Sequence, residues 1–411
     1  MKRLAICLLA ACSGESGPTE IRSQLDRNMN PAVTSDELAT LVDSNTAFAA
    51  DLYRQVRTEP GNLFMSPHSI SIALAMTYAG ASGNTATEIA STFHWTQAPT
   101  TLHAAFDKLD LELAARAEQA KGDTIPFRLK TANSMWGQQG KTFMQPFLDT
   151  LAINYGAGVH VLDFRGDPNG ARQVINGWVE DRTNDRIKEL LPEGTVRSST
   201  SLVLTNAIYF SAAWQDPFEP ANTKDAPFRT ADGSTIQTST LHQTGAYRYG
   251  EGETFRAAEL PYDGGQLSMV VVVPSDLASF EANLSGDAIR GIMGSLRSAD
   301  VELALPKFRF DAPLGLREHL RALGMKDAFE STADFSGIDG AKSLLIQDVL
   351  HKGFVAIDEK GTEAAAATAV IIGETSVPER RKLTVDKPFL FFIRDLPTGA
   401  ILFVGRVVDP R

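Results

Sequence analysis

"EKGTEAAAATAVIIGETSVPERR", from Glu359 to Arg381, joins two halves with opposite conformational preferences. Glu363 to Ala369 is rich in alanine, the strongest helix former. Val370, Ile371 and Ile372 are β-branched, stiff at χ1 and suited to strands. No charge interrupts Ala364 to Gly373, while Gly361 and Pro378 bracket the segment as breakers. The stretch reads as helix, strand or exposed loop, and the choice among them decides the fold.

The chain has 411 residues, 43% of them hydrophobic and 22% charged, an ordinary globular composition. Length alone suggests about two or three domains. No Pro/Ser/Gly-rich linker follows residue 35, however, and there is no internal repeat, so one large domain stays open. The net charge is −11, and no basic run exceeds Arg380-Arg381-Lys382. That acidity favours solubility and argues against nucleic acid as a partner.

At the N-terminus, Met1-Lys2-Arg3 is followed by a short apolar run, Leu4 to Ala11, too short to span a bilayer. Leu9-Ala10-Ala11-Cys12 resembles the lipobox of bacterial lipoproteins, in which the cysteine is lipidated and becomes the mature N-terminus. An ordinary signal peptide with a chance cysteine is the plainer alternative. The expected organisation is a leader over 1–11, a flexible tether over 12–34 and a folded domain over 35–411. Both cysteines, Cys7 and Cys12, fall at this end, so the domain holds no internal disulfide and its stability must come from its core. An exported, lipid-anchored protein of the cell envelope is expected, or else a secreted one.

Helices are predicted over 43–57, 68–80, 85–93, 100–120, 144–153, 168–190 and 313–323. Ser66-Pro67 is a strong helix start, with serine as N-cap and proline at the first helical position. The helix that follows is apolar on nearly every side and should lie inside the protein. Strands are predicted later in the chain, over 201–210, 267–273, 389–394 and 400–408. Helices first and strands second, without strict alternation, indicate an α+β fold.

Enzyme signatures are missing. There is no G-x-S-x-G, P-loop, H-E-x-x-H or C-x-x-C motif. His68, His94, His103, His160, His242, His319 and His351 are scattered without metal-ligand spacing, so neither metal nor cofactor is expected. Spacing alone leaves a serine triad open, since triads assemble across distant positions. No serine here stands in a recognisable nucleophile context.

Several stretches nevertheless belong together. "GNLFMSPHSISIALAMTYAGASGNTATEI" (Gly61–Ile89), "TANSMW" (Thr131–Trp136) and "INGWVEDRTNDRIKELLP" (Ile175–Pro192) resemble signatures of the serpin family. So do "LVLTNAIYFSAAWQDPF" (Leu202–Phe218), "LPKF" (Leu305–Phe308), "LRALGMKDAF" (Leu320–Phe329) and "ADFSGI" (Ala333–Ile338). "VLHKGFVAIDEKGTEAAAATAV" (Val349–Val370), "DKPFLFFI" (Asp386–Ile393) and "LFVGRVVDP" (Leu402–Pro410) complete the ordered set. Ser211, Gly353 and Asp386 depart from the residues usual in the family.

The resemblance implies a serpin fold, with helices packed on three β-sheets and an exposed reactive-centre loop at about 359–381. It also implies irreversible inhibition of serine proteases, in which the cut loop enters a sheet as a new strand and traps the acyl-enzyme. A strand alternates faces with period two. One face of the loop reads Thr362, Ala364, Ala366, Thr368, Val370 and Ile372, without charge; Glu363 falls on the other. Burying the first face therefore buries no carboxylate, and no proline obstructs the leading end at Glu359, Gly361 and Thr362. Counting from Glu359 by the family's usual spacing places the scissile bond between Thr375 and Ser376. A medium, β-branched residue there suits elastase-like or subtilisin-like enzymes. Rival bonds follow Ile372, Glu374, Val377 and Arg380; the last lies beyond Pro378, where cleavage would make a substrate and not a trap.

Ser66, Ser69, Asn206 and His351 resemble the family's shutter beneath the opening sheet, and Trp214 resembles the tryptophan under the insertion point. Each alone also reads as a satisfied core residue. No Lys/Arg cluster precedes Thr131, so glycosaminoglycan is not expected as a partner, and a monomer is. The alternative function is a non-inhibitory serpin acting as a binding or chaperone-like protein. Replacing Thr362 with arginine is predicted to turn inhibitor into substrate, by burying an unpaired charge on insertion. Unchanged inhibition would refute the face assignment.

Overall fold

The computed structural model describes residues 18–116, 128–362 and 380–411. The expected leader, Cys12 and the loop positions Ala364, Ala366, Thr368, Val370, Ile372, Glu374, Thr375, Ser376 and Val377 lie outside the described residues. Strands and helices are numbered along the chain.

The first sheet has seven strands in the order β1 (Glu20–Ile21), β4 (Val159–Leu162), β3 (Arg128–Gln138), β5 (Leu202–Ala213), β13 (Gly361–Thr362), β12 (Leu350–Ile357) and β11 (Phe308–Gly315). The second has nine: β14 (Arg381–Thr384), β10 (Arg297–Pro306), β7 (Thr235–Glu251), β8 (Phe255–Pro261), β9 (Leu267–Pro274), β15 (Phe389–Asp395), β16 (Ile401–Val407) and β2 (Leu63–Met65), with β6 (Lys224–Arg229) paired to β7. Three sheets were expected. The described strands join into two because β7 runs 17 residues unbroken, carrying β6 on its first half and β8 on its last residues.

Alternation along β5 sorts the interior into two cores. Ile208, Phe210 and Ala212 face the main core, with Val355 and Ile357 of β12. Ala207 and Tyr209 point the other way, into a smaller core closed by Ala171, Ile175 and Val179 of α6 (Pro168–Arg182). Among the other helices, α1 (Ser35–Val56) begins at a capping box made by Thr34 and Glu37. In α2 (Pro67–Tyr78), Ser66 Oγ accepts from Ser69 N at 3.1 Å and every residue through Thr77 is buried, as its all-round apolar sequence implied.

Three expectations need correction. Residues 18–34 are not a free tether. Glu20–Ile21 pair with β4, whose edge would otherwise be open, and Asn28 N donates to Ile153 O at 2.9 Å. The Arg27 guanidinium also bridges Asp107 and Asp110 of α4 (Pro99–Ala115) at 2.7 and 2.6 Å, so the ordered body starts well before residue 35. The helix expected over 313–323 starts only at Arg317, because Pro313, Leu314 and Gly315 complete the ladder of β11 against β12. The helix expected over 168–190 stops at Arg182, and Asn184 and Asp185 adopt positive φ.

Candidate functional site

At the end of β12 the chain reverses through Asp358, Glu359 and Lys360 and enters the first sheet again as β13. Asp358 N donates to Gly361 O at 3.1 Å, and Trp214 N and Phe218 N donate to the carbonyls of Lys360 and Glu359, each at 2.7 Å. The Glu359 carboxylate receives Lys307 Nζ at 2.8 Å and Thr223 Oγ1 at 2.9 Å. Burial works to raise the Glu359 pKa, but these donors outweigh it and hold the carboxyl below its usual range. Desolvation instead pushes Asp358 up.

Gly361 and Thr362 pair antiparallel with Ala213 and Ala212 of β5, and Thr362 also pairs with Ile357 of β12. A Cβ on Gly361 would stand 2.1 Å from the Ala212 carbonyl oxygen, so the close approach of the two backbones excludes any side chain. Thr362 is only 1% exposed, and its hydroxyl lies 2.7 Å from that of Tyr262. The Tyr262 ring stacks on Trp214 at 4.7 Å, and Trp214 Nε1 donates to Asp358 O at 3.0 Å. Trp214, Glu359, Gly361 and Thr362 therefore form one assembly at the mouth of the sheet. Because Thr362 is already inside, an arginine there strains the uncut protein as well, so that substitution does not by itself isolate the expected effect of insertion.

Below the mouth, β5 and β12 pair directly and in parallel from Thr205/Leu350 to Tyr209/Phe354. Asn206 and His351 are register partners in this seam, and His351 Nδ1 hydrogen-bonds to Asn206 Oδ1. His351 Nε2 accepts from Ser66 N at 3.1 Å, which requires the proton to sit on Nδ1. Asn206 Nδ2 donates to Ser69 Oγ and to Asn133 Oδ1, both at 2.8 Å, and Ser66 Oγ donates to Leu402 O at 2.7 Å. The four residues singled out in the sequence thus meet in one buried network. Asn133 completes it and was missed; its only signal was a polar side chain at an inward position of "TANSMW".

Gly353, which departs from the family pattern, is explained by a neighbour: a Cβ there would lie 2.7 Å from the Phe64 ring. Arg380 is not free bait, since its Nε binds Asp300 Oδ2 at 2.8 Å. Among the described residues no group of three or more His, Cys, Asp or Glu could hold a metal, and no helix is long and apolar enough to cross a membrane.

The chain as a whole has counterparts among known proteins. The family description "Serpin (serine protease inhibitor)" matches residues 43–410. A serpin-like protein of Thermococcus kodakarensis is 37% identical over 96% of this chain and 92% of its own length. The leukocyte elastase inhibitor of Bos taurus is 38% identical over 89% of this chain and 98% of its own. Among solved structures, the thermophilic serpin tengpin in its native state superposes with a TM-score of 0.84 at 25% identity, covering 96% of this chain and all of tengpin. Uncleaved ovalbumin gives 0.81 at 26%, covering 90% of this chain and all of ovalbumin. The chain belongs to the serpin family and has the serpin fold.

Full burial lowers the His351 pKa from 6.5 to about 3. Between those values the unfolded chain binds the proton and the folded one does not, so stability falls as pH falls through this window. From about pH 7 to about pH 5 this group alone removes about 2 kcal/mol. His68 and His103, each lowered to about 4 by burial, act in the same direction. Urea unfolding of His351→Gln should show a pH dependence smaller by about that 2 kcal/mol. An unchanged dependence would contradict a neutral His351 in the seam.

Proposed function

We propose that this chain is an irreversible suicide-substrate inhibitor of serine proteases that inserts its cleaved loop between β5 and β12. The observation carrying this reading is the register of the hinge. Continued residue for residue from Gly361 and Thr362, it would set Ala364 against Phe210 and Val355, and Ala366 against Ile208 and Gly353. Thr368 would arrive between Asn206 and His351, supplying a hydroxyl where those two side chains now bind each other. Phe210, Ile208 and Val355 all face the main core, so the uncharged face of the loop would turn inward and Glu363 outward.

Energetics favour the exchange. The present seam is a parallel pairing of five residue pairs, whereas an inserted strand would run antiparallel to both neighbours, as β13 already does. Antiparallel ladders are the more stable per residue, and loop insertion in serpins is a recognised case of strand addition. In the chemical step, the protease serine oxygen would attack the Thr375 carbonyl carbon. The Thr375–Ser376 bond would break, the released Ser376 amine would take up a proton, and an ester would join Thr375 to the protease. Insertion must outrun hydrolysis of that ester.

Thr375 as the residue before the cut suits a shallow pocket, in line with the elastase inhibitors among the relatives. The inhibitor would act as a monomer on the cell envelope, held by lipid on Cys12. Metabolic labelling with a fatty acid should then mark the wild type and not Cys12→Ser; equal labelling would remove the anchor from the proposal.

Incubation with elastase, subtilisin, trypsin and chymotrypsin, followed by denaturing gels, tests the inhibitory reading. A covalent complex with elastase or subtilisin and release of the 36-residue fragment 376–411 are expected. Thr368→Arg should abolish the complex while leaving cleavage intact, since insertion in the proposed register would bury its charge. Clean cleavage by every protease, without a complex, would instead favour a non-inhibitory serpin.

A further inference from the structure

The sequence offers trypsin-like proteases an obvious target at Arg380-Arg381-Lys382, just downstream of the proposed scissile bond. None of the three basic side chains is left without an acidic neighbour. Arg380 binds Asp300 at 2.8 Å and Lys382 binds Glu302 at 2.9 Å, while Arg381 lies 3.8 Å from Glu251. Asp300 and Glu302 lie two residues apart on β10 and so share one face; Glu302 and Lys382 are a register pair of the β10–β14 ladder, and Arg380, just before β14, meets Asp300 at its end. The register continues into these contacts: Val301 pairs with Arg381, Glu302 with Lys382, Leu303 with Leu383 and Ala304 with Thr384. Leu383 is fully buried and Val385 N donates to Ala304 O at 2.9 Å, which anchors the strand from its far end.

We propose that the acidic row Asp300–Glu302 on β10, with Glu251, guards this basic cluster and so sets specificity, turning trypsin-like and dibasic-specific proteases away from the foot of the loop. A protease must place the residue before the cut in its own pocket and hold several residues on either side in extended form. Cutting after Arg380 requires the guanidinium to leave Asp300 and Arg381–Leu383 to peel from β10. Cutting after Arg381 or Lys382 requires opening the same ladder with the specificity residue still bound in it. The guard directs attack to bonds before Pro378, where cleavage leaves enough loop to form an inserted strand. This inference rests on the inhibitor reading for its purpose, but its physical content is independent of it.

Trypsin digestion tests it, with the cut bonds read by mass spectrometry and a synthetic peptide of residues 377–386 as the unguarded reference. In Asp300→Asn/Glu302→Gln, cleavage after Arg380, Arg381 or Lys382 should accelerate by roughly three- to tenfold, the range that two exposed ion pairs can supply. High salt should accelerate the same cuts in the wild type, relative to the peptide, because exposed pairs are screened. Equal rates for variant and wild type at matched thermal stability would overturn the proposal. So would wild-type cleavage at these bonds as fast as in the peptide, a result that needs no variant. Elastase incubated with the same proteins separates the two readings: loss of the covalent complex everywhere overturns inhibition alone, whereas unchanged trypsin rates overturn the guard alone.

Discussion

The parallel seam between β5 and β12 is the junction on which the rest of this structure depends. It is short, five residue pairs, and it ends where Gly361 and Thr362 push between the two strands. It is held by the His351–Asn206 contact, by Ser66 and Ser69 at the start of α2 and by Asn133 on the neighbouring strand β3. A buried polar network of this kind is stable only while each member keeps its partners. Separating the two strands must therefore break hydrogen bonds in a low-dielectric interior, at a cost that only new partners for the freed groups would offset.

The mouth above the seam is held by different physics. Lys307 and Thr223 fix Glu359, and Trp214 and Tyr262 stack beneath the turn. Thr362 shares its hydroxyl with Tyr262 while its backbone joins β5 and β12. A charged group at the rim and a small hydroxyl inside reproduce at the start of the loop the division of faces that the rest of its sequence displays. At the far end, β14 ties the loop to β10 through ladder hydrogen bonds and ion pairs. Both feet of the loop are thus anchored to sheets by named contacts, and the two anchors differ in character: one buried, one on the surface.

Much of this was legible beforehand where a local rule had few competitors. The Ser66-Pro67 start of α2 followed from capping chemistry, and burial of that helix followed from apolar residues on all its sides. The inward direction of Thr362 followed from alternation. Local rules failed where a partner distant in sequence decided the outcome. Leu316 and Leu320 kept their helical spacing, but Pro313 to Gly315 were claimed by the β12 ladder. Residues 18–34 look like a tether because they are polar and short of apolar residues; Asp107 and Asp110, some eighty residues on, and the free edge of β4 convert them into part of the body.

By itself the sequence determined the α+β class, the capped start and burial of α2 and the inward side of Thr362, because these depend on periodicity and local propensity. The tertiary structure alone decided that His351 is neutral with its proton on Nδ1, that Asn133 joins the buried polar network, that Gly353 makes room for Phe64 and that Arg380 is engaged by Asp300. Protonation, packing room and charge pairing depend on which atoms lie within a few ångströms. For those residues the neighbours come from strands and helices up to several hundred positions away, and only the folded chain brings them together.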